Sequence, residues 1–370
     1  MNRRWICSDV WMDILPSFER VELGLKMALL SDRFDALVDA HFDDQTTELT
    51  IWRRIGIRDG IGPEPRLTER RVDGTFVDFP LPDHPLPNKI RFKDLWIMYI
   101  DDSVLAFIHS NKHIWDRNGT KLLIQISDED VFKPIWDVFI SEIWPVFETN
   151  VRHLLFNNAD YLDNFRRRTS QTILTDLDQL NSIQSDDLFP DQIADDQPNA
   201  TARQVLSKWV HTPSKNGQPK RLHCRDVDFE EENFDWINSF KETFLGATTS
   251  VSYKIRIALH SETSPIEPFE SENERTQEKL TLLLVEEALE EDGYEFTKKW
   301  LLKRCPISEK AAPIQWENDE NWDDNLNTVQ FSLWGGKSSI GPYGFLRTKK
   351  KKRVKASKYR RIARKTNYLY

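Results

Sequence analysis

The sequence predicts an α/β fold: a short helical hook at the N-terminus, an irregular curved array of strands and helices, and an antiparallel end unit. Three observations predict it. Residues 8–38 carry apolar side chains at helical spacing, residues 89–260 alternate strand-like and helix-like segments, and residues 261–334 hold strand-like segments without helices between them.

In the hook, Trp11, Ile14, Leu15 and Phe18 follow an i, i+3, i+4, i+7 pattern from Ser8-Asp9, which supplies an N-cap. Pro16 ends that helix early. After a turn through Phe18-Glu19-Arg20, a second, long helix places Leu23, Met27, Leu30, Phe34 and Leu37 on one face, with Leu25 and Leu29 on another. A segment this short has too few neighbours of its own to bury both faces. Each large apolar side chain left in water forfeits about 1.5–3 kcal/mol, so the second face is expected to meet the rest of the chain or a partner protein.

Residues 56–90 contain Pro63, Pro65, Pro80, Pro82, Pro85 and Pro87, and Asp73-Gly74 lies between two short β-prone segments. That pattern predicts a hairpin within a Pro-rich linker, separating the hook (residues 1–55) from the body. In the body (residues 91–260), strands are predicted over 92–100, 121–127, 151–156, 221–229 and 252–259, with an edge around Ile183. Helices are predicted over 103–115, 130–147, 161–177, 202–210 and 234–245. The helix at 130–147 is the strongest, with Phe132, Ile135, Trp136, Phe139, Ile140, Ile143 and Phe147 in one stripe and Pro134 in its first turn. Strand starts recur about every 30 residues, the rhythm of parallel βα units, and without a strict leucine-rich consensus the array is read as irregular and LRR-like. Residues 261–340, with strands over 265–271, 279–285, 298–307 and 329–334, form the expected antiparallel end unit that closes the open edge. The acidic run at 316–324 is read as a surface loop whose Trp316 and Trp322 pack on the body.

Composition narrows the function classes. Thirteen tryptophans against thirteen glycines in 370 residues suit packed helices and strands better than a Gly-dependent nucleotide fold. Cys7, Cys224 and Cys305 are odd in number and widely spaced, which argues against a disulfide framework or a Cys-rich zinc site and for a reducing compartment. With no charged-then-apolar leader and no run of 18 apolar residues, the expectation is a cytoplasmic or nuclear chain without a membrane span. Twelve of the 51 basic residues fall between Arg347 and Lys365 with no acid among them, leaving 39 against 60 acids elsewhere, a net of −21. The chain is therefore an acidic body with a basic tail (residues 341–370). Lys349, Lys350, Lys351, Lys352 and Arg353 are candidates for a nuclear import signal or a phosphate-binding arm; the plain alternative is a solvated tail. The acidic body disfavours extended nucleic-acid binding except through that tail.

No catalytic constellation emerges, and neither a metal nor a cofactor is expected. His109 and His113 stand at i, i+4 without a third ligand or a neighbouring Glu. His223 and Cys224 are adjacent on a predicted strand and so point to opposite faces. Gly336-Lys337-Ser338 evokes a phosphate loop, but Phe331 stands where the first glycine is required.

The short helix, the turn and the long helix through 31–38, followed by Trp52, resemble an F-box. The resemblance extends over most of residues 6–333, because Leu29-Leu30-Ser31-Asp32-Arg33-Phe34-Asp35, Ile143-Trp144-Pro145, Asp187-Leu188-Phe189-Pro190, Lys208-Trp209-Val210-His211-Thr212-Pro213 and Trp300-Leu301-Leu302-Lys303-Arg304-Cys305-Pro306 occur in this order. Together they look like the large nematode family of F-box proteins with a family-specific C-terminal region. The resemblance implies a non-enzymatic substrate receptor of a Skp/cullin (SCF-type) ubiquitin ligase. Its N-terminal helices would hold the Skp-type adaptor and the cullin core, and its body would select an unidentified protein target. Leu15, Phe18, Leu23, Leu25, Leu29 and Leu30 are the expected adaptor-binding anchors. Two other readings stay open: an LRR-like interaction scaffold whose N-terminal helices merely cap the body, and a nucleic-acid-associated protein acting through its tail.

Overall fold

The computed structural model describes residues 6–18, 22–44, 50–52, 55–58, 65–70, 74–86, 90–126, 133–186, 188–225, 236–260, 266–289, 296–308 and 326–333. The chain is mixed α/β, built on a thirteen-stranded mixed sheet with ten helices among the described residues. No helix among them is long and apolar enough to cross a membrane.

The centre of the sheet follows the predicted rhythm. Strands β7 (Thr120–Ile126), β8 (Val151–Phe156), β9 (Ser182–Asp186), β10 (Lys220–Arg225) and β11 (Tyr253–His260) lie side by side in chain order, all parallel. Parallel neighbours need a crossover, and helices fill each interval. The side-chain period of two sends alternate residues to opposite faces, so β7 alternates buried and half-buried along its whole length. One apolar row runs across seven strands in register: Val329, Leu122, Leu154, Ile183, Leu222, Ile255 and Leu302. None of the seven is more than 2% exposed. This row is the floor of the main core, and Trp115, Trp136 and Trp209 are fully buried within that core.

Helix boundaries depart from the sequence reading where local chemistry interrupts a stripe. The helix expected over 103–115 is two, Asp102–Ser110 and Lys112–Asn118, which meet at Asn111. Asp101 caps the first by accepting from the amides of Ser103 and Val104, each at 3.0 Å. The helix expected over 130–147 begins at Lys133 and passes through a π-turn at Phe139–Ile143 before ending at Phe147. Pro145 has no amide to give to a carbonyl one turn back, and the widened turn just before it accommodates that loss. The fully helical reading of 161–177 likewise resolves into Ala159–Arg168 and Ile173–Asp176.

Both flanks of the sheet correct the expected organisation. Strands β3 (Arg66–Arg70) and β4 (Phe76–Pro80) form the predicted hairpin, with Gly74 at φ +84°, but they do not link two bodies. They pair through β2 (Ile55–Arg58) onto β6 (Leu95–Ile97) and so make one end of the main sheet. At the other end, β12 (Phe269–Asn273), β13 (Glu278–Leu289) and β14 (Phe296–Pro306) are antiparallel as expected and join the sheet at β11. The last described strand, β15 (Asn327–Leu333), is the exception: it returns to lie parallel between β6 and β7. Alternation along a strand does not report its neighbours, and here buried polar groups choose them. Asn327, fully buried, accepts from the Phe92 amide at 3.0 Å and donates to the Ile114 carbonyl at 2.8 Å. The acidic run at 316–324, the Gly335–Ser338 motif and the basic tail lie outside the described residues.

Gly119 ends the helix at Asn118 with φ +76°, and its carbonyl accepts from the Asn327 amide at 3.0 Å. A Cβ there would come within 2.7 Å of the Arg152 side chain. Gly119→Ala is therefore expected to lower stability by about 1–2 kcal/mol, read as a reduced denaturant midpoint at unchanged slope.

The helix Ala202–His211 opens with a capping box in which Thr201 and Gln204 satisfy each other's backbone amides. At its other end the Lys220 ammonium donates to the carbonyls of Trp209 and Thr212 and lies 5.0 Å from the Trp209 ring. His211, hydrogen-bonded to the Ser207 carbonyl at 2.9 Å and packed against Phe240 and Tyr253, is driven by burial to a pKa of about 4. An unfolded His titrates near 6.5, so between about pH 6.5 and 4 the unfolded chain binds more protons than the folded one. Stability is thus expected to fall as pH drops through this window, and His211→Gln should flatten that part of a Tm-against-pH profile.

Candidate functional site

The N-terminal hook folds around a small core of its own. Helix α1 (Ser8–Ile14) runs into a 3-10 turn at Leu15–Ser17, where Pro16 stops it as predicted. Ser8-Asp9 does not cap it: Cys7 is the N-cap residue, in extended conformation and without a side-chain hydrogen bond. The expected single long helix is also broken. A π-turn at Leu23–Met27 and a 3-10 turn at Ala28–Leu30 end at Ser31, whose backbone is fully extended, and helix α2 then runs Asp32–Asp44. The Ser31 carbonyl accepts from the amides of Phe34 at 2.8 Å and Asp35 at 3.0 Å. The Ser31 hydroxyl oxygen also accepts from the Phe34 amide, at 3.4 Å, which is the serine start signal that apolar periodicity alone overrides.

Leu15, Leu23, Ala28, Leu37 and Val38 form the hook's core, with Trp11, Met12, Met27 and Phe34 packed around them. Trp11 meets Phe34 edge to face at 4.8 Å between ring centroids. Leu25 points elsewhere: it is 6% exposed and belongs to the main core. Beside it, Lys26 is paired with Glu22 at 2.9 Å and sits 5.1 Å from the ring of Phe79 on β4. The second apolar face inferred from sequence therefore meets the rest of the chain at Leu25.

This placement corrects the anchor assignment. Leu15, Leu23 and Leu25 are buried inside the chain and cannot offer their side chains to a partner without unpacking it. Phe18 and Leu30 are accessible, at 36% and 62% exposure. The Leu29 side chain and the candidates Lys349 to Arg353 lie outside what is described. The anchor set omits three further residues that remain in solvent: Ile6 at 46%, Val10 at 44% and Ile14 at 36%. Val10 and Ile14 are one turn apart on α1, with Ile6 just before the helix and Phe18 just after the 3-10 turn, so the four recur every fourth residue in sequence. That spacing is legible in the sequence, but it was overshadowed by Trp11 and Leu15, which satisfy the same periodicity facing inward.

No family model, curated protein or solved structure matches this chain.

His109 is exposed near the end of one helix, whereas His113 lies on the next and contacts the Leu86 carbonyl at 3.2 Å. The break at Asn111 removes the uninterrupted turn that a shared metal would need. Cys224 is fully buried, and burial raises its thiol pKa far above the usual range, while His223 faces the other side of β10. Cys7, Cys224 and Cys305 are all free thiols.

Proposed function

We propose that this chain is an F-box-like substrate receptor of a Skp/cullin ubiquitin ligase, a non-enzymatic adaptor whose hook holds the ligase core and whose LRR-like body selects a protein target. One observation carries the reading: a helical hook with a complete core of its own still presents Ile6, Val10, Ile14, Phe18 and Leu30 to solvent. Exposed apolar clusters on a small unit mark contact surfaces, and burial of each large side chain against a partner contributes about 1.5–3 kcal/mol. An apolar stripe at i, i+4 on a short helix suits a helical partner groove. Such a ligase would act in the cytoplasm or nucleus, and Lys349 to Arg353 would serve nuclear entry.

The test is recovery of the Skp-type adaptor and cullin with tagged chain from cell extract. Wild type should recover both, and Val10→Asp with Ile14→Asp should lose at least about tenfold of the signal, since two charges placed in an apolar contact remove well over 1.4 kcal/mol. The circular dichroism spectrum should be unchanged. A scaffold without a ligase is the second reading, and the seating of Leu25 in the main core favours it. It requires that the same double variant recover the same partners as wild type, and that Leu25→Asp aggregate the body.

A further inference from the structure

We infer that the more exposed face of the sheet, where β10, β11 and β14 adjoin, is the target-selecting surface, and that it takes an extended acidic segment bearing aliphatic side chains. The inference deepens the receptor reading and rests on it for the biological setting, while its chemistry stands on the sheet alone. Strands β10, β11 and β14 contain no Asp or Glu. On the face opposite the apolar floor they carry Arg221, Arg225, Lys254, Arg256, Lys299 and Lys303.

Register sets these cations side by side. Arg221 is opposite Lys254, which is opposite Lys303, and Arg256 lies one row away. Neighbouring strands are about 4.8 Å apart, and like charges directly opposite one another disfavour the sheet unless anions are near. Carboxylates flank the face at both ends: Asp186 meets Arg225 at 2.8 Å and Glu286 meets Lys299 at 3.0 Å, while Glu270 and Glu272 of β12 lie in the rows through Thr281 and Lys279, and the cations of β10, β11 and β14 fill the span between. Lys254 is itself buried, and Arg221, Lys254 and Lys303 also make interactions within the chain; the exposed Arg225, Arg256 and Lys299 present the sign of the face to solvent, and that sign, rather than an idle charge, is what attracts an anion. His223 senses that sign: after burial, the groups that depress its pKa to about 4 are Arg225, Arg256, Lys121 and Lys299. A basic face on a chain of net charge −9 is not a consequence of overall composition.

The aliphatic requirement comes from the row through Arg256. There Leu301 stands opposite Leu283, which is 51% exposed, and Val285, at the bulge between Leu284 and Glu286, is 63% exposed. Nucleic acid fits less well. The cationic strands place no Phe, Tyr or Trp on this face for bases to stack on.

The experiment is fluorescence anisotropy of the full chain with a labelled glutamate-rich peptide containing interspersed leucines. A lysine–leucine peptide and oligothymidylate are run in parallel. The acidic peptide should bind, weaken as salt is raised, and lose at least about tenfold in affinity with Arg256→Glu, and again with Leu283→Ser. Arg256 and Leu283 are exposed, so both variants should keep the wild-type melting temperature. Absence of binding to wild type, equal binding by Arg256→Glu, or oligothymidylate binding as tightly as the peptide would overturn the inference. Peptide binding by a chain that recovers no adaptor would support the surface and remove the receptor reading, so the two fail separately.

Discussion

Glu278→Gln is expected to cost about 3–5 kcal/mol of stability, because it leaves the Arg304 guanidinium charged and unneutralised in the interior. Both groups are essentially without solvent, at 0% and 1% exposure. The Nε and Nη2 atoms of Arg304 donate to one Glu278 oxygen at 3.0 and 2.7 Å, and Nη2 also reaches the Thr249 carbonyl at 2.9 Å. The other Glu278 oxygen accepts from the Ser250 hydroxyl at 2.8 Å and the Val251 amide at 2.9 Å. The guanidinium also lies 5.2 Å from the Phe244 ring. The pair thus ties β13 and β14 to the chain entering β11. Removing both partners by Glu278→Leu with Arg304→Met should recover most of the loss, because each single change strands the other group. Thermal unfolding of the two variants checks this: a double variant as unstable as Glu278→Gln would show that shape, not charge pairing, dominates the site.

Asn327→Leu comes next, with an expected loss of about 2–4 kcal/mol. Its amide is the only side-chain device seen among the described residues that joins β15 to both β5 (Ile90–Phe92) and the helix ending at Asn118. Leucine fills a similar volume but neither accepts from the Phe92 amide nor donates to the Ile114 carbonyl. The loss should fall on the docking of β15, so amides of β6 and β7, its two neighbours, should exchange with solvent faster than those of β10. Uniform acceleration across the sheet would contradict that local role.

What could be read from the sequence follows from the range of the signal. Period-two and 3.6-residue patterns are local, and they located β7, β8, β10, β11 and the helices between them, because each parallel unit pairs with its sequence neighbour. They could not reveal that β15 pairs with strands 200 residues earlier, since the deciding group is a single asparagine with partners far along the chain. They separated the faces of the hook at Leu23 and Leu25 but could not say what each face meets. Leu23 and Leu25 fall on different faces of a helical wheel, and the structure shows that one closes the hook and the other enters the main core. The π-turn through Leu23–Met27 shifts the phase between them, and a fixed 100° per residue does not register that shift. The cationic face was hidden for a related reason: Arg221, Lys254 and Lys303 are scattered in sequence and are aligned only by strand register.

The most direct measurement of the central claim is a calorimetric titration of the purified chain with purified Skp-type adaptor. The account predicts saturable one-to-one binding with a negative heat-capacity change, the mark of apolar burial, abolished by Val10→Asp with Ile14→Asp and retained by Arg256→Glu. Absence of binding by the wild type, or undiminished binding by the hook variant, would contradict it.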